Sequence, residues 1–175
     1  MIGLERDVVR LVPYTAEWKR LFEEEKACLQ AAIGPYVLDI QHVGSTAIPG
    51  MVAKPILDIA IAVRDFEDGL ACVVPLEKLG YEYRGVVGVI SRHYFSKGEP
   101  RTHHIHMYAI DSPDWENQLL FRDYLRAHPD WARAYADLKQ EMAQRYSQDR
   151  EAYMLAKGPF IQEILRLARG ECSDP

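Results

Sequence analysis

The chain has 175 residues, of which 48% are hydrophobic and 27% charged, and it carries a formal net charge of -5. This balance predicts one globular domain with its own core, and the acidic net charge argues against a broad surface for nucleic acid backbones. Three widely spaced cysteines without a CxxC pair suggest neither a disulfide framework nor a cysteine zinc site.

The N-terminal third predicts one helix and two strands. Thr15 can cap the helix, and Gly34, followed by a proline, should end it. Residues 36 to 43 predict a strand, and the apolar run of residues 55 to 63 is typical of a buried central strand. The small-residue stretch 44 to 54 between them predicts a loop.

The middle of the chain predicts a second helix and then a β meander. Asp65 can open the helix, which Pro75 should kink or restart. Residues 81 to 110 are rich in β-branched and aromatic residues, a composition that favours two or three strands. Turns are expected at Gly85, at Gly88 and within residues 97 to 100.

The last third predicts helices. Residues 112 to 114 supply a cap, a proline and an acid in the order that starts a helix, and Pro129 starts another. Gly158 and the proline after it should interrupt the final helical stretch. We expect an α/β (α+β) domain over residues 1 to 170, with a mixed sheet and flanking helices, followed by a tail over residues 171 to 175.

No stretch of the sequence offers the ~18 uninterrupted apolar residues that a membrane-spanning helix needs. The N-terminus has charges inside every apolar stretch, which does not fit a secretion signal. A cytoplasmic location is therefore expected.

The motif H-V-G-S-T-A-I-P-G-M-V-A-K-P-I-L-D-I at residues 42 to 59 places a glycine-containing loop between two strands. Gly44 can let the backbone approach a ligand closely. Ser45 and Thr46 offer hydroxyls and amides to a phosphate, and Lys54 can supply a compensating charge. Loops of this composition most often only turn the chain, so the pattern alone leaves both interpretations open.

Asp58 lies in a run that otherwise predicts full burial, between Leu57 and Ile59. A carboxylate there needs a partner, which can be a metal ion, Lys54 or an arginine. A structural salt bridge and a metal site both satisfy this requirement.

The segment R-T-H-H-I-H at residues 101 to 106 predicts a paired imidazole site. On a strand, His104 and His106 point to one face, whereas His103 points to the other. Paired imidazoles can bind a transition metal, relay protons or bind phosphate. Histidines with a purely structural role are the alternative.

Basic residues form a third candidate group. Arg122 and Arg126 share a helix face, where like charges repel unless an anion or carboxylates offset them, and Asp123 is expected off that face. A solvated surface is the alternative for most basic residues, although Lys139 and Lys157 fall among apolar helix positions. The candidate phosphate-binding residues are Gly44, Ser45, Thr46, Lys54, Arg92, Arg101, Arg122 and Lys157.

Taken together, these motifs resemble the GrpB family, which also occurs as a second domain fused to some dephospho-CoA kinases. The segment at residues 42 to 59 is the most specific mark, and the resemblance covers nearly the whole chain. Further similar segments lie at residues 12 to 18, 79 to 81, 101 to 106, 121 to 126, 135 to 139 and 153 to 157.

The resemblance implies the nucleotidyltransferase-like fold of the polymerase-beta type. In that fold a Gly-Ser pair after the first core strand contacts nucleotide phosphates, and carboxylates on the next strands hold magnesium. Gly44, Ser45 and Asp58 match this pattern. The usual second carboxylate, two residues on, is replaced here by Ala60, and the third acidic position falls at His104 or His106.

This departure bears on the cofactor. One aspartate cannot bridge two magnesium ions, and imidazole is a poor ligand for a hard cation. A divalent metal, whether magnesium, manganese or zinc, is therefore expected to be held differently from the ordinary two-metal site, by Asp58, His104 and His106.

Three functions are compatible with the sequence. The first is a nucleotidyl- or phosphoryl-transferase in which Asp58, His104 and His106 are catalytic and act on a nucleotide or phosphorylated small molecule. The second is a catalytically inactive domain that binds such a ligand, and the third is a protein-interaction or folding-assistance domain. We favour the first, because buried charge is costly and a structural domain has little need of it. Neither bulk nucleic acid nor a membrane is an expected partner.

Overall fold

The computed structural model describes residues 1–86 and 91–171, so the turn predicted at Gly88 lies outside the described residues. Its centre is a mixed five-stranded sheet. The strands are β1 (Val37–Val43), β2 (Leu57–Val63), β3 (Tyr81–Tyr83), β4 (Arg92–Lys97) and β5 (His103–Ala109), in the spatial order β1-β2-β5-β4-β3. β2 and β5 are parallel, and every other neighbouring pair is antiparallel.

Helices precede, interrupt and follow the sheet. They are α1 (Glu17–Ile33), α2 (Asp68–Ala71), α3 (Val73–Lys78), α4 (Pro113–Ala127), α5 (Pro129–Arg145), α6 (Arg150–Ala156) and α7 (Gly158–Glu171). The cap predicted at the start of α4 is present, since the hydroxyl of Ser112 accepts a hydrogen bond from the Asp114 amide at 3.2 Å. At the start of α1 the N-cap position is occupied by Ala16, although the hydroxyl of Thr15 accepts a hydrogen bond from the Glu17 amide at 3.3 Å. No described helix is both long and apolar enough to cross a membrane.

The two faces of β2 differ in side-chain size, and this difference makes room for a site. Ile59 and Ile61 belong to the main core with Trp18 of α1. Ala60 and Ala62 point the other way and pack with a smaller cluster that includes Trp115 of α4. Because side chains alternate along a strand, Asp58 lies on the alanine face, where less volume is filled.

The helical segment after Asp65 restarts near Pro75, as predicted. The break itself lies at Cys72, between α2 and α3, and Pro75 falls in the first turn of α3, where its missing N–H removes no helical hydrogen bond. The last helix also continues one residue into the predicted tail, through Glu171. The remaining tail residues lie outside the described part of the chain.

Candidate functional site

Asp58, His104 and His106 lie together on neighbouring strands. The parallel pairing of β2 with β5 sets Asp58 beside His104 and Ala60 beside His106. Oδ1 of Asp58 lies 3.3 Å from Nδ1 of His104 and 3.0 Å from Nε2 of His106. One ligand atom from each residue lies within 4.8 Å of the others, a spacing that suits a shared metal ion.

The electrostatics of this trio favour an ionised carboxylate. Burial raises the pKa of the Asp58 carboxyl, but hydrogen bonds from the two imidazoles outweigh burial and hold that pKa well below its usual value. Burial also lowers the pKa of His104, although Asp58 opposes this effect. At neutral pH the trio therefore contains an ionised carboxylate and a neutral His104, the forms that ligate metals.

One nitrogen of the His104 ring lacks a hydrogen-bond partner. This atom, Nε2, is buried, and no group in the described part of the chain forms a hydrogen bond with it. Leaving such an atom unpaired costs about 1–3 kcal/mol, so native proteins rarely keep one without a reason.

Gly44 is required by its contact with Asp58. Its φ is 69°, which L side chains rarely adopt, and a Cβ placed there would lie 2.8 Å from Oδ2 of Asp58. The turn Ser45–Ala47 follows directly. The backbone at Gly44 therefore approaches the Asp58 carboxylate closely, whereas its predicted approach to a ligand stays a prediction.

A cavity of about 860 Å³, which we call the larger cavity, opens over this trio. The side chain of Asp58 remains 31% exposed and faces it. Of the predicted site residues, the larger cavity is lined by Gly44, Ser45, Thr46, Lys54, Asp58, Arg92, His104, His106 and Lys157.

Two predicted phosphate-binding residues do not line the larger cavity. Arg101 pairs through its backbone with Leu4 at an isolated bridge. Arg122 lines a different cavity of about 380 Å³, the smaller cavity, together with Arg126. Asp123, predicted to lie away from these two arginines, is within 2.8 Å of Nε of Arg122 and 3.7 Å of Nη1 of Arg126, because long arginine side chains bend towards it.

Three lysines, Lys54, Lys139 and Lys157, line the larger cavity and form what we call the lysine cluster. The Nζ atoms of Lys157 and Lys54 lie 4.3 and 5.3 Å from the centre of the Tyr153 ring. Lys139 is 1% exposed and donates a hydrogen bond to the Val52 carbonyl. Within residues 1–86 and 91–171, no carboxylate lies within 4.0 Å of any of these ammonium groups.

Burial lowers the pKa of Lys54 to about 8, of Lys139 to about 6 and of Lys157 to about 7, and neighbouring cations add to the effect. Other carboxylates in the lining are Asp7 and Glu151, which are exposed, and Asp114, which is half-buried and accepts a hydrogen bond from Ser91. The larger cavity thus joins Asp58 to a group of lysines that lack anionic partners among the described residues.

Lys139 and Arg150 both line the larger cavity, although neither was among the predicted site residues. For Lys139 a signal existed, since a lysine among apolar helix positions is expected to be buried. No such signal pointed to Arg150, because its position in the cavity depends on how α6 packs over the sheet.

The sheet and the helical C-terminal part define the class of fold. A crystal structure of the Cid1 poly(U) polymerase with MgGTP bound is similar, with a TM-score of 0.53 and 14% sequence identity, covering 76% of this chain and 44% of that chain. The fold is nucleotidyltransferase-like.

The model of the GrpB protein family matches residues 8–167, and the chain belongs to that family. A crystal structure of the conserved protein GrpB from Enterococcus faecalis is 35% identical, with a TM-score of 0.87, and covers 94% of this chain and 100% of that chain. The resemblance drawn from the motifs is confirmed.

Some relatives are longer than this chain. UPF0157 protein YqkA of Bacillus subtilis is 42% identical over 155 residues, which are 88% of this chain and 45% of that protein. A dephospho-CoA kinase of Mycolicibacterium paratuberculosis is 30% identical over 94% of this chain and 47% of its own length.

Proposed function

We propose that this chain is a nucleotidyl- or phosphoryl-transferase that acts on a nucleotide or a phosphorylated small molecule. One observation carries the proposal: the ionised Asp58, with its two imidazoles, shares one cavity with the lysine cluster. A ligand that brings both a divalent cation and several phosphate oxygens would satisfy both groups. A nucleotide polyphosphate has this chemistry.

Asp58, His104 and His106 would hold the metal ion. Their donor set of two imidazole nitrogens and one carboxylate oxygen suits manganese or zinc better than magnesium. When bound, such an ion supplies a Lewis acid for a phosphoryl oxygen. The low pKa of Asp58 makes it a weak general base but a good ligand, which favours the metal-binding role.

The lysine cluster and the turn Ser45–Ala47 would hold the phosphates. Burying ammonium groups without carboxylates is costly, and a bound anion offsets that cost. The volume of about 860 Å³ falls within the range of ligand sites. Rings of Tyr94, Tyr135 and Tyr153 line the same cavity and offer surfaces for stacking against a base.

One observation favours a second candidate, a domain that binds the same ligand without catalysis. Ala60 shares a face with Asp58 and is fully buried, so β2 offers no second carboxylate to the larger cavity. The strand therefore lacks the second carboxylate on which ordinary two-metal transfer depends, which favours binding without catalysis.

The experiment combines binding and turnover. Nucleoside triphosphates are titrated with manganese, magnesium or zinc while the melting temperature is followed, and release of pyrophosphate or phosphate is then measured for each stabilising pair. We expect Asp58→Asn to abolish turnover, and Asp130→Asn, at an exposed position on α5, to leave it intact. Stabilisation without turnover would support the binding domain, and no stabilisation by any pair would contradict both candidates.

A further inference from the structure

The smaller cavity lies beside the larger one, and the turn Ser45–Ala47 separates them. Thr46 lines both cavities, whereas Ala47 lines only the smaller one. Most of the remaining lining comes from α1, β1 and α4, and Tyr14 and Pro49 complete it. Nothing in the proposed transfer chemistry uses this second cavity.

Arg122 is held rigidly in its wall. Its Nε donates to Asp123 at 2.8 Å, and its Nη1 donates to the Gln41 side chain at 2.8 Å and to the His42 carbonyl at 3.0 Å. Its Nη2 forms no hydrogen bond with a described residue, and the side chain is only 10% exposed. The guanidinium is therefore fixed in place with one donor group unused.

Arg126, one turn further along α4, is held in a similar way. Its Nε and Nη2 donate to the Ala47 carbonyl at 3.0 and 2.7 Å, while its Nη1 lies 3.7 Å from Asp123. The side chain is 41% exposed, so part of the guanidinium faces the opening. Two arginines thus share a single carboxylate, and their charges are only half offset.

The rest of the lining adds positive charge. Lys19 and Lys26 face the cavity from α1, and Glu23 is the one carboxylate among its described lining residues. His42 is neutral at physiological pH, because burial together with the two arginines lowers its pKa to about 4, despite an opposing contribution from Asp58. The charge of this cavity is therefore set by its arginines and lysines.

We propose that the smaller cavity binds an oxyanion group of a small molecule, a phosphate or a carboxylate, at a site distinct from that of the transferred ligand. Guanidinium groups bind such anions through parallel hydrogen bonds. Unused donors of Arg122 and Arg126 would supply these bonds, with Lys19 and Lys26 adding charge at the opening. The volume of about 380 Å³ limits the ligand to a small compound.

The test follows the arginine side chains directly. Inorganic phosphate and, separately, acetate are titrated into the protein while the Nε–Hε resonances are recorded by NMR, assigned with Arg122→Lys and Arg126→Lys variants. Saturable shifts of the Arg122 and Arg126 resonances are expected with at least one of the two anions. Arg133, 74% exposed on α5, serves as the control. The proposal would be overturned if neither phosphate nor acetate shifted the Arg122 and Arg126 resonances more than it shifts that of Arg133.

The same titration in a Lys157→Met variant separates this site from the proposed transfer site. That change removes a cation from the larger cavity and leaves the smaller one untouched. We expect the Arg122 and Arg126 shifts to saturate at the same anion concentration in this variant. If the Arg122 and Arg126 shifts are absent in the Lys157→Met variant, the anion occupies the larger cavity and the second site does not exist.

Discussion

The guanidinium of Arg92 fixes the tautomer of His106. Its Nη1 lies 3.2 Å from Nδ1 of His106, and a guanidinium can only donate, so Nδ1 accepts. With a single ring proton, that proton is then on Nε2, which donates to Asp58 at 3.0 Å. A metal ion on Nε2 needs that proton on Nδ1, which the contact with Arg92 opposes.

Replacement of Arg92 by glutamine should strengthen metal binding. The amide oxygen of glutamine can accept a proton from Nδ1 and so favours the tautomer that leaves Nε2 of His106 free. We expect zinc or manganese to bind roughly tenfold more tightly, measured by competition with a coloured chelator. Arg101→Gln, outside the larger cavity, is the control. Unchanged or weaker binding in Arg92→Gln would contradict the assigned tautomer.

Gly44→Ala should damage both the fold and the metal site. The new methyl group would lie 2.8 Å from Oδ2 of Asp58, at backbone angles (φ 69°, ψ -171°) that cost an L residue about 1–3 kcal/mol. Chemical denaturation should show a loss of at least that size, with weaker metal binding. Gly170→Ala in α7, where nothing lies within 4 Å, should leave both unchanged or slightly raise stability. A fully stable Gly44→Ala protein would contradict the described contact.

Lys139→Met should stabilise the protein while weakening anion binding. Burial lowers the pKa of Lys139 to about 6 from 10.5, so the unfolded chain binds its proton more strongly than the folded protein does. The contribution of Lys139 to the free energy of unfolding therefore rises with pH between about 6 and 10.5, and it is least favourable below pH 6. The variant should be more stable by about 1–4 kcal/mol near neutral pH, with a flatter profile of unfolding free energy against pH. Lower stability would show that the ammonium is needed by the fold.

Oxyanion binding in the larger cavity should strengthen as the pH falls. Lys54, Lys157 and Lys139 have pKa values lowered by burial to about 8, 7 and 6, so each is partly neutral in the free protein near these values. A bound anion favours the charged forms, and binding therefore takes up protons. Sulfate, whose charge is constant over this range, should bind more tightly at pH 6 than at pH 8 in calorimetry. A pH-independent affinity would exclude the lysine cluster as the anion site.

Alternation along strands was enough to predict that His104 and His106 share a face. It could not show that β5 lies beside β2, and that pairing is what brings both imidazoles to Asp58. The loop motif likewise could not show that Gly44 lies against Asp58, because that contact depends on the antiparallel pairing of β1 with β2, which sets Val43 opposite Asp58.

Residues on the helices were harder to assign, because helical spacing fixes a shared face but not the surface it meets. Arg122 and Arg126 do share a face, yet α4 turns that face towards β1 and the Ser45–Ala47 turn, so they line the smaller cavity. Lys139 reaches the larger cavity only because α5 passes over it. Such placements follow from tertiary packing.

The proposed function requires Asp58 and the lysine cluster to bind the same ligand. The most direct measurement is calorimetric titration of a nucleoside triphosphate, with and without manganese, into the wild type, Asp58→Asn, Lys157→Met and the double variant. We expect manganese to tighten binding only when Asp58 is present, and the two substitutions to be coupled by at least about 0.5 kcal/mol. Strictly additive losses, or a manganese effect that survives in Asp58→Asn, would contradict the proposed function.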